Sequence, residues 1–419
     1  MTSDTETMER INILFVSATV PYPAIDGGRI RVLNLVSRLC QIHKVTLLTF
    51  ITSQVDEQGA EHLREMGLEV VGVKTLDSRH RDRISGTLRS LLHSLVHKKP
   101  LTVAKYYSAE MVKALRHLLS SRRFHIIHFE MLHTGQFVSW LRAEGEDDYV
   151  TALGEQNIDS NVWHRLTQAE PNPLRKLIFY WQYRRFKSYE SLMCRRFDMC
   201  VCVSVEDQEK LASICPGIKT EVIPNGVDLD YFKPGMVDQD RVNLVFTGSM
   251  DWQPNEDAVL YFCNRILPLI RAELPEIEFY IVGSNPSERV LRLRELKGVV
   301  VTGSVEDVRP YIADASVYVV PLRIGGGTRL KILQALAMQK AVVSTSIGCE
   351  GLDLQPDDHL LVADEPQQFA AHVIRLAKDR PFRDRLGRNG GVLVQKKYSW
   401  DIIVERLDLA YRRLASNMP

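Results

Sequence analysis

Short apolar runs recur along the chain at intervals wide enough for a helix, and they set its architecture. Residues 12–18, 44–50, 69–75, 124–130, 149–156 and 199–204 each read as a strand with little polar alternation, which is the pattern of a sheet buried on both faces. The stretch after the first strand carries Val32, Leu33, Leu35, Val36 and Leu39 at helical spacing, so successive strands are joined by crossover helices and lie parallel. The run 199–204 is read as the last strand of this sheet. Cys215-Pro216-Gly217 and Pro224-Asn225-Gly226-Val227-Asp228 interrupt the pattern. A second series follows at 243–247, 278–282, 299–302, 316–320, 341–344 and 359–363, each with glycine or proline punctuation and a helical stretch behind it. The prediction is an α/β chain of two doubly wound, Rossmann-like domains, 1–215 and 216–398, facing a central cleft. Ser399-Trp400-Asp401 opens a final amphipathic helix, 399–419, expected to pack back on the first domain.

Two strand ends carry glycines at the head of a helix. Behind 316–320 stand Gly325-Gly326-Gly327 and then Thr328-Arg329-Leu330-Lys331, with Leu330, Leu333, Leu336 and Ala337 at helical spacing. Glycine lets backbone N–H groups approach a ligand, and the helix start adds partial positive charge. Arg329 and Lys331 in the first turn oppose that dipole unless an anion is bound, so the segment reads as a diphosphate cradle. A glycine-rich turn with solvated cations is the plainer alternative. Asp26-Gly27-Gly28-Arg29 repeats the arrangement at the first βα crossing, where ligands bind in such sheets. His125, His128, Glu130 and His133 bunch at the end of 124–130. Any one of these histidines reads as structural; the cluster reads as a contact to a reacting hydroxyl.

Composition narrows the partners. The 419 residues are 45% hydrophobic and 25% charged with a net charge of +1, which argues against nucleic acid as the main partner. The seven cysteines form no C-x-x-C and suit a reducing, cytoplasmic compartment. The polar, acidic start does not read as a signal peptide, and no apolar run reaches membrane-spanning length. Residues 78–100, with Arg79, Arg81, Arg83, Arg89, Lys98 and Lys99, and 175–187, with Phe179, Tyr180, Trp181, Arg184 and Arg185, interleave basic and apolar positions. They read either as ordinary helices with a solvated charged face or as surfaces for an anionic bilayer or a lipid-linked acceptor, with peripheral contact at the inner face of the membrane.

Taken together, Gly27-Gly28, Pro224-Asn225-Gly226-Val227-Asp228 and the 325–338 element resemble the GT-B retaining glycosyltransferases of family four, the group 1 glycosyltransferases. Phe246-Thr247-Gly248-Ser249-Met250-Asp251-Trp252, Ile281-Val282-Gly283, 301–308 and 344–352 support the resemblance in order and spacing. It implies transfer of a sugar from a nucleotide diphosphate sugar to an acceptor hydroxyl of a glycan or lipid-linked acceptor, with no metal and no other cofactor. Cell-envelope or exopolysaccharide synthesis is the implied setting. By the same resemblance Gly27, Gly28, Gly248, Gly303, Val305, Gly326, Gly327, Thr328 and Gln334 bind the donor, with the base in the Gly303 to Val305 loop. Arg329 and Lys331 neutralise the leaving diphosphate.

The chain departs from the family at three places. The two glutamates usual in the glycine turn and helix are replaced by Gly326 and Gln334. The usual His-x-His becomes His128-Phe129-Glu130, which puts Glu130, with His133 a turn further on, in the catalytic place. The usual Arg and Lys pair behind the first strand of the second domain is missing, and Arg329 and Lys331 are expected to supply its charge. Asp228-Leu229-Asp230 and Asp238-Gln239-Asp240 match a D-x-D metal motif only superficially. The lost carboxylates keep two other readings open, a degenerate nucleotide-sugar-binding protein and a sugar-nucleotide epimerase.

Overall fold

The computed structural model describes residues 10–74, 99–141, 148–235, 242–325 and 330–416. Gly326, Gly327, Thr328 and Arg329, Asp238-Gln239-Asp240 and nearly all of the basic stretch 78–100 lie outside the described residues. The chain divides into two compact units, residues 1–223 with 404–419, and residues 224–403.

The first unit is built on a seven-stranded parallel sheet in the order β3-β2-β1-β4-β5-β6-β7. Its strands are β1 (Asn12–Ser17), β2 (Lys44–Ile51), β3 (Glu69–Lys74), β4 (Ile126–Glu130), β5 (Val150–Glu155), β6 (Met199–Cys202) and β7 (Thr220–Val222). Ile13 to Val16, Ile126 and Ile127 are wholly buried, as strands covered on both faces must be. The run 199–204 does not close this sheet: β7 pairs with β6 from Cys200↔Thr220 to Cys202↔Val222. Its three residues are only half-buried, so this edge strand has no apolar run to betray it. Cys215-Pro216-Gly217 is accordingly a turn inside the first unit, following the helix Val205–Ile214.

Helix α1 (Gly27–Ile42) starts on Asp26, whose side chain accepts from the Arg29 N–H at 2.9 Å, an N-cap. Helices α2 (Asp159–Ala169) and α3 (Pro173–Cys194) pack on each other, with Trp163 edge-on to Phe179 at 5.6 Å. Asn172 caps α3, and Pro173 takes its first position.

The second unit has a six-stranded parallel sheet in the order β10-β9-β8-β11-β12-β13. The strands are β8 (Asn243–Thr247), β9 (Glu278–Val282), β10 (Val299–Gly303), β11 (Val317–Val320), β12 (Ala341–Ser344) and β13 (Leu361–Val362). Around it lie α4 (Gln253–Tyr261), α5 (Leu330–Ala337), α6 (Pro366–Lys378) and α7 (Arg380–Lys397). The Pro224 to Asp228 segment joins this unit by a hydrogen bond from Val227 N to Tyr398 O (2.8 Å) and a bridge from Val227 to Ser399.

The last helix, α8 (Trp400–Ala415), has its first turn in the second unit and Val404 onward in the first. In the first unit Asp408 Oδ1 lies 2.7 Å from His43 Nε2, and the Tyr411 hydroxyl lies 2.8 Å from His128 Nδ1. In the second, the Trp400 indole is 1% exposed. Trp400→Ala should lower the stability of the second unit by about 3–5 kcal/mol, the range for large-to-small changes at buried aromatics. The expected reading is a lower chemical-denaturation midpoint, with Trp400→Phe close to the parent.

Candidate active site

In each sheet the strand order reverses once, between β1 and β4 in the first and between β8 and β11 in the second. A crevice opens at such a reversal, beyond the carboxyl ends of the strands. The two edges carry different chemistry.

In the first unit the edge is a buried charge network. Glu130, the last residue of β4, is 2% exposed. Its Oε2 lies 2.7 Å from His128 Nε2, and its Oε1 accepts from Gln156 Nε2 at 2.7 Å. Arg31, on α1 and 1% exposed, brings its Nε to 3.5 Å from Glu130 Oε1 and donates through Nη2 to the carbonyl of Ile223 at 3.0 Å. A carboxylate only accepts, so His128 donates to Glu130 from Nε2, while its Nδ1 faces the Tyr411 hydroxyl. The imidazole also stacks on Phe15 at 4.4 Å. Burial works against the charge on Glu130, but the His128 hydrogen bond and the charges of His128 and Arg31 hold its carboxyl down at about 2. Burial pulls the Arg31 guanidinium below its ordinary value against the attraction of Glu130. Opposite Glu130 in register stands Gly154, where a Cβ would come within 2.6 Å of Glu130 Oε2 and 2.7 Å of His128 Nε2. Only a residue without a side chain leaves room for the pair.

Gly27 and Gly28 are the first two residues of α1, and Gln156 brings them to this network. A Cβ on Gly28 would lie 3.3 Å from Gln156 Oε1 and 3.3 Å from Asp26 Oδ1. Glu130 therefore does not stand open at the strand end; it anchors the amide beside Gly28. His133 is placed differently. It sits in a short helix, Leu132–Gly135, and its ring stacks on Tyr106 at 4.3 Å. Between the two, Met131 adopts φ 70°, a strained conformation for a bulky side chain of the kind that collects at functional edges.

A second group of carboxyls lies behind this edge. Glu155 ends β5, Asp159 opens α2 and Glu190 is on α3; Glu155 and Glu190 are 2% and 1% exposed. Glu190 Oε1 accepts from the Ser160 N–H at 3.0 Å, while among the described residues nothing bonds its Oε2. Burial raises Asp159 to about 7, and burial with the charge of Asp159 raises Glu190 to about 8. Glu155 is pushed well above the usual carboxylate range, by burial first and then by neighbouring acids and thiols. These acids hold protons where Glu130 has lost its own.

In the second unit the edge, among the described residues, is bare backbone with the Lys331 ammonium against it. Gly248, Gly283 and Gly303 sit at the ends of three adjacent strands with φ of 154°, 154° and 76°. They are linked by Gly248 N to Val282 O (3.0 Å) and Gly283 N to Gly303 O (3.2 Å). A Cβ on Gly283 would lie 1.9 Å from the Gly248 carbonyl oxygen, so side chains are excluded there on two grounds. Lys331, on α5, donates from Nζ to Asn255 Oδ1 at 2.8 Å and stands 3.9 Å from the centre of the Phe246 ring. Asn255 in turn donates to the carbonyl of Ser249 at 2.8 Å. A Cβ on Gly248 would be 3.0 Å from Lys331 Nζ, which puts the ammonium against the bare backbone at the strand reversal. Ile332, Leu333, Ala335, Leu336 and Ala337 are buried, leaving Lys331 and Gln334 on the other face of α5. Gln334 is half-buried, and among the described residues nothing bonds its side-chain amide. Val305, two residues past Gly303, packs against the core.

Two further features bear on the site. Asp228 Oδ1 accepts from the N–H groups of Asp230 and Tyr231, each at 2.9 Å, so this carboxylate is spent on its own turn. A polar groove of 650 Å³ lies along α4, with Asp257, Tyr261, Arg289, Arg323 and Glu365 in its wall. Arg323 forms a fork to Asp257 (3.0 and 2.6 Å) and Arg289 meets Glu256 at 3.3 Å, so two of its cations face carboxylates.

The sequence reading missed Arg31, Gln156, Tyr411 and Asn255. Arg31 had a signal, because with Leu35 and Leu39 it lies on the buried stripe of α1, and a cation there requires a buried anion. Gln156 and Asn255 are single amides with no pattern around them. Tyr411 reads as one more core aromatic.

Removing Glu130 leaves Arg31 buried without its anion. Glu130→Ala should therefore cost about 3–5 kcal/mol, and Tyr411→Phe, which strips one bond from His128, about 1–3 kcal/mol, both read from denaturation midpoints. Folded-state protons on Asp159 and Glu190 make stability fall as pH rises from about 4, the ordinary carboxyl value, to about 8. Glu130 acts oppositely: its stabilisation is present above about 4 and is lost as pH falls towards 2. The melting temperature should thus be highest near pH 4, and Glu190→Gln should flatten the alkaline limb alone.

Comparison with known proteins gives the same architecture. The family model for Glycosyltransferase Family 4 matches residues 25–231, and that for Glycosyl transferases group 1 matches residues 241–379. An uncharacterized 44.6 kDa protein in the cps region of Klebsiella pneumoniae is 22% identical over 397 residues, covering 92% of this chain and 96% of that one. A phosphatidyl-myo-inositol mannosyltransferase of Propionibacterium freudenreichii is 23% identical, over 54% of this chain and 58% of that protein. Among solved structures, sucrose-phosphate synthase from Thermosynechococcus elongatus superposes with a TM-score of 0.71 at 17% identity, over 98% of this chain and all of that one. HepE of Anabaena, solved with UDP-glucose, gives 0.65 at 12% identity, over 96% of this chain and 100% of its own. With both family domains matched in order on a GT-B fold, the chain belongs to the group 1 glycosyltransferases of family four and is a nucleotide-sugar-dependent transferase.

Proposed function

We propose that this enzyme moves a sugar from a nucleotide diphosphate sugar to an acceptor hydroxyl with retention of configuration and without a metal, in the assembly of a cell-envelope or exported polysaccharide at the cytoplasmic side of the membrane. One observation carries the donor assignment: Lys331, oriented by Asn255, stands against the bare backbone of Gly248 at the strand reversal of the second unit. An ammonium beside backbone that carries no side chain gives a diphosphate both a counter-charge and room to approach. Gly303 and Val305 would hold the base, and Gln334, on the same face of α5 as Lys331, a ribose hydroxyl. Gly327 and Thr328 would meet the phosphates, with Arg329 as the second cation; at Gly326 only backbone is left to meet the sugar. The cps-region relative from Klebsiella and the phosphatidylinositol mannosyltransferase support the envelope setting.

In this mechanism the bond between sugar and phosphate breaks through a cation-like sugar, and the two cations stabilise the departing oxygens. The acceptor attacks the face the phosphate leaves, and the departing phosphate oxygen takes the acceptor's proton. The first unit holds the acceptor. Glu130 acts there as a positioning group, since its oxygens are bound to His128 and Gln156, and His133, a turn beyond the same strand end, meets the acceptor.

Arg329→Ala and Lys331→Ala should each lower kcat by about 10²–10³, the loss typical of one group that stabilises transition-state charge, while leaving the melting temperature within a degree or two of the parent. Near-normal turnover in either variant removes that assignment. A panel of labelled nucleotide sugars, assayed with chelator present, checks the rest. Binding without transfer would favour the degenerate reading, conversion of the donor without acceptor an epimerase, and loss of turnover in chelator a metal.

A further inference from the structure

Helix α3 is two helices in one as far as burial is concerned. From Gln182 onward it buries Gln182, Phe186, Tyr189, Glu190, Met193 and Cys194. Before that, from Pro173 to Trp181, no residue is fully buried: Leu174 is 74% exposed, Leu177 65%, Ile178 56% and Trp181 42%. These four positions follow the spacing i, i+3, i+4, i+7, which places them on one face. A soluble helix turns such a stripe inward; this one turns it out. Contacts hold the stripe in place. Phe179 packs on Trp163 of α2, His164 lies 4.9 Å from Tyr183, and Arg185 stacks 4.6 Å over the Trp181 ring while donating to the Lys99 carbonyl at 2.8 Å.

The charge around the stripe has one sign. From 171 to 189 the chain carries Arg175, Lys176, Arg184, Arg185 and Lys187 and no carboxylate. Arg175 reaches Glu170, just before that span, at 3.4 Å. A second copy of this chain seated on the stripe would set cations against cations, whereas an anionic surface satisfies both the apolar residues and the charges around them. Among the described residues no helix is long and apolar enough to cross a membrane, so contact by this route is interfacial.

We propose that the exposed face of the first half of α3 docks on an anionic phospholipid surface, with Leu174, Leu177, Ile178 and Trp181 entering the headgroup boundary and Arg175 and Arg184, which flank that face, lying over lipid phosphates. This goes beyond the transfer reaction and does not rest on it: the docking face stands or falls without the donor assignment.

Flotation of the full chain with vesicles tests it. The protein should float with phosphatidylcholine mixed with phosphatidylglycerol, and much less with phosphatidylcholine alone. Leu177→Glu/Ile178→Glu should lower the bound fraction about tenfold, and high salt should weaken binding of the parent chain. The parent's tryptophan emission should shift to the blue on anionic vesicles, and Trp181→Phe should remove most of that shift. Both substituted positions are exposed, so the variant's melting temperature and circular dichroism should match the parent. Failure of the parent to float on anionic vesicles at low salt overturns the proposal, as does full binding by the double variant. A parent dimer that the double variant turns into monomer would assign the face to a second copy instead, and would overturn it too.

Discussion

An ionised carboxylate cannot lie in a protein interior unless its charge is matched on several sides, because desolvation costs more than any single partner returns. Glu130 meets that demand with Arg31, His128 and Gln156, and His128 meets its own with Tyr411. The partners come from α1, from β4, from the residue after β5 and from α8. Each element of the ligand-facing edge in the first unit is thereby referred to one buried charge. The position of the Gln156 amide beside Gly28, and so the chemistry offered at the start of α1, follows from that charge. Gly154 is the geometric counterpart, a missing side chain where the pair needs space.

The second unit solves the same architectural problem by subtraction. Its strand ends bring Gly248, Gly283 and Gly303 into a row, two of them in direct hydrogen-bond sequence with neighbouring strand ends, and a single ammonium is held against them by an amide. Nothing in that row is costly to desolvate except Lys331, whose Asn255 bond and Phe246 face spare it an unpaired burial. One unit thus spends its polar groups on holding itself, and the other keeps its edge open. This division suits a transferase of the group 1 family, in which charge must be stabilised as it develops on a leaving group.

How much of this was legible in the sequence depended on whether a residue's role shows in a repeating pattern. The strands were legible because parallel strands covered on both faces must be apolar throughout, and all twelve runs that were read as strands contain one. Strand β7 was not, since an edge strand of Thr220, Glu221 and Val222 lacks that requirement. Lys331, Gly28 and Gly248 could be named from glycine turns and resemblance, whereas Asn255 and Gln156 act through geometry that only folding creates. Glu130 was found, but its burial was not: the sequence shows a carboxylate at a strand end and says nothing of the arginine four residues into a helix that arrives beside it. In 175–187 the alternation of basic and apolar residues was plain; which side faces water was decided by α2, which covers Phe179 and leaves Leu177 and Ile178 out.

The placement of Tyr411 bears on the order of events at the ribosome. The hydroxyl that completes the coordination of His128 is encoded after every strand of both sheets. Until that codon has been read and its residue has left the exit tunnel, the amino-terminal half of the polypeptide carries an imidazole that lacks one of its partners. The first part made is therefore among the last to be finished, and the nascent chain must carry it unfinished through synthesis of the whole second half.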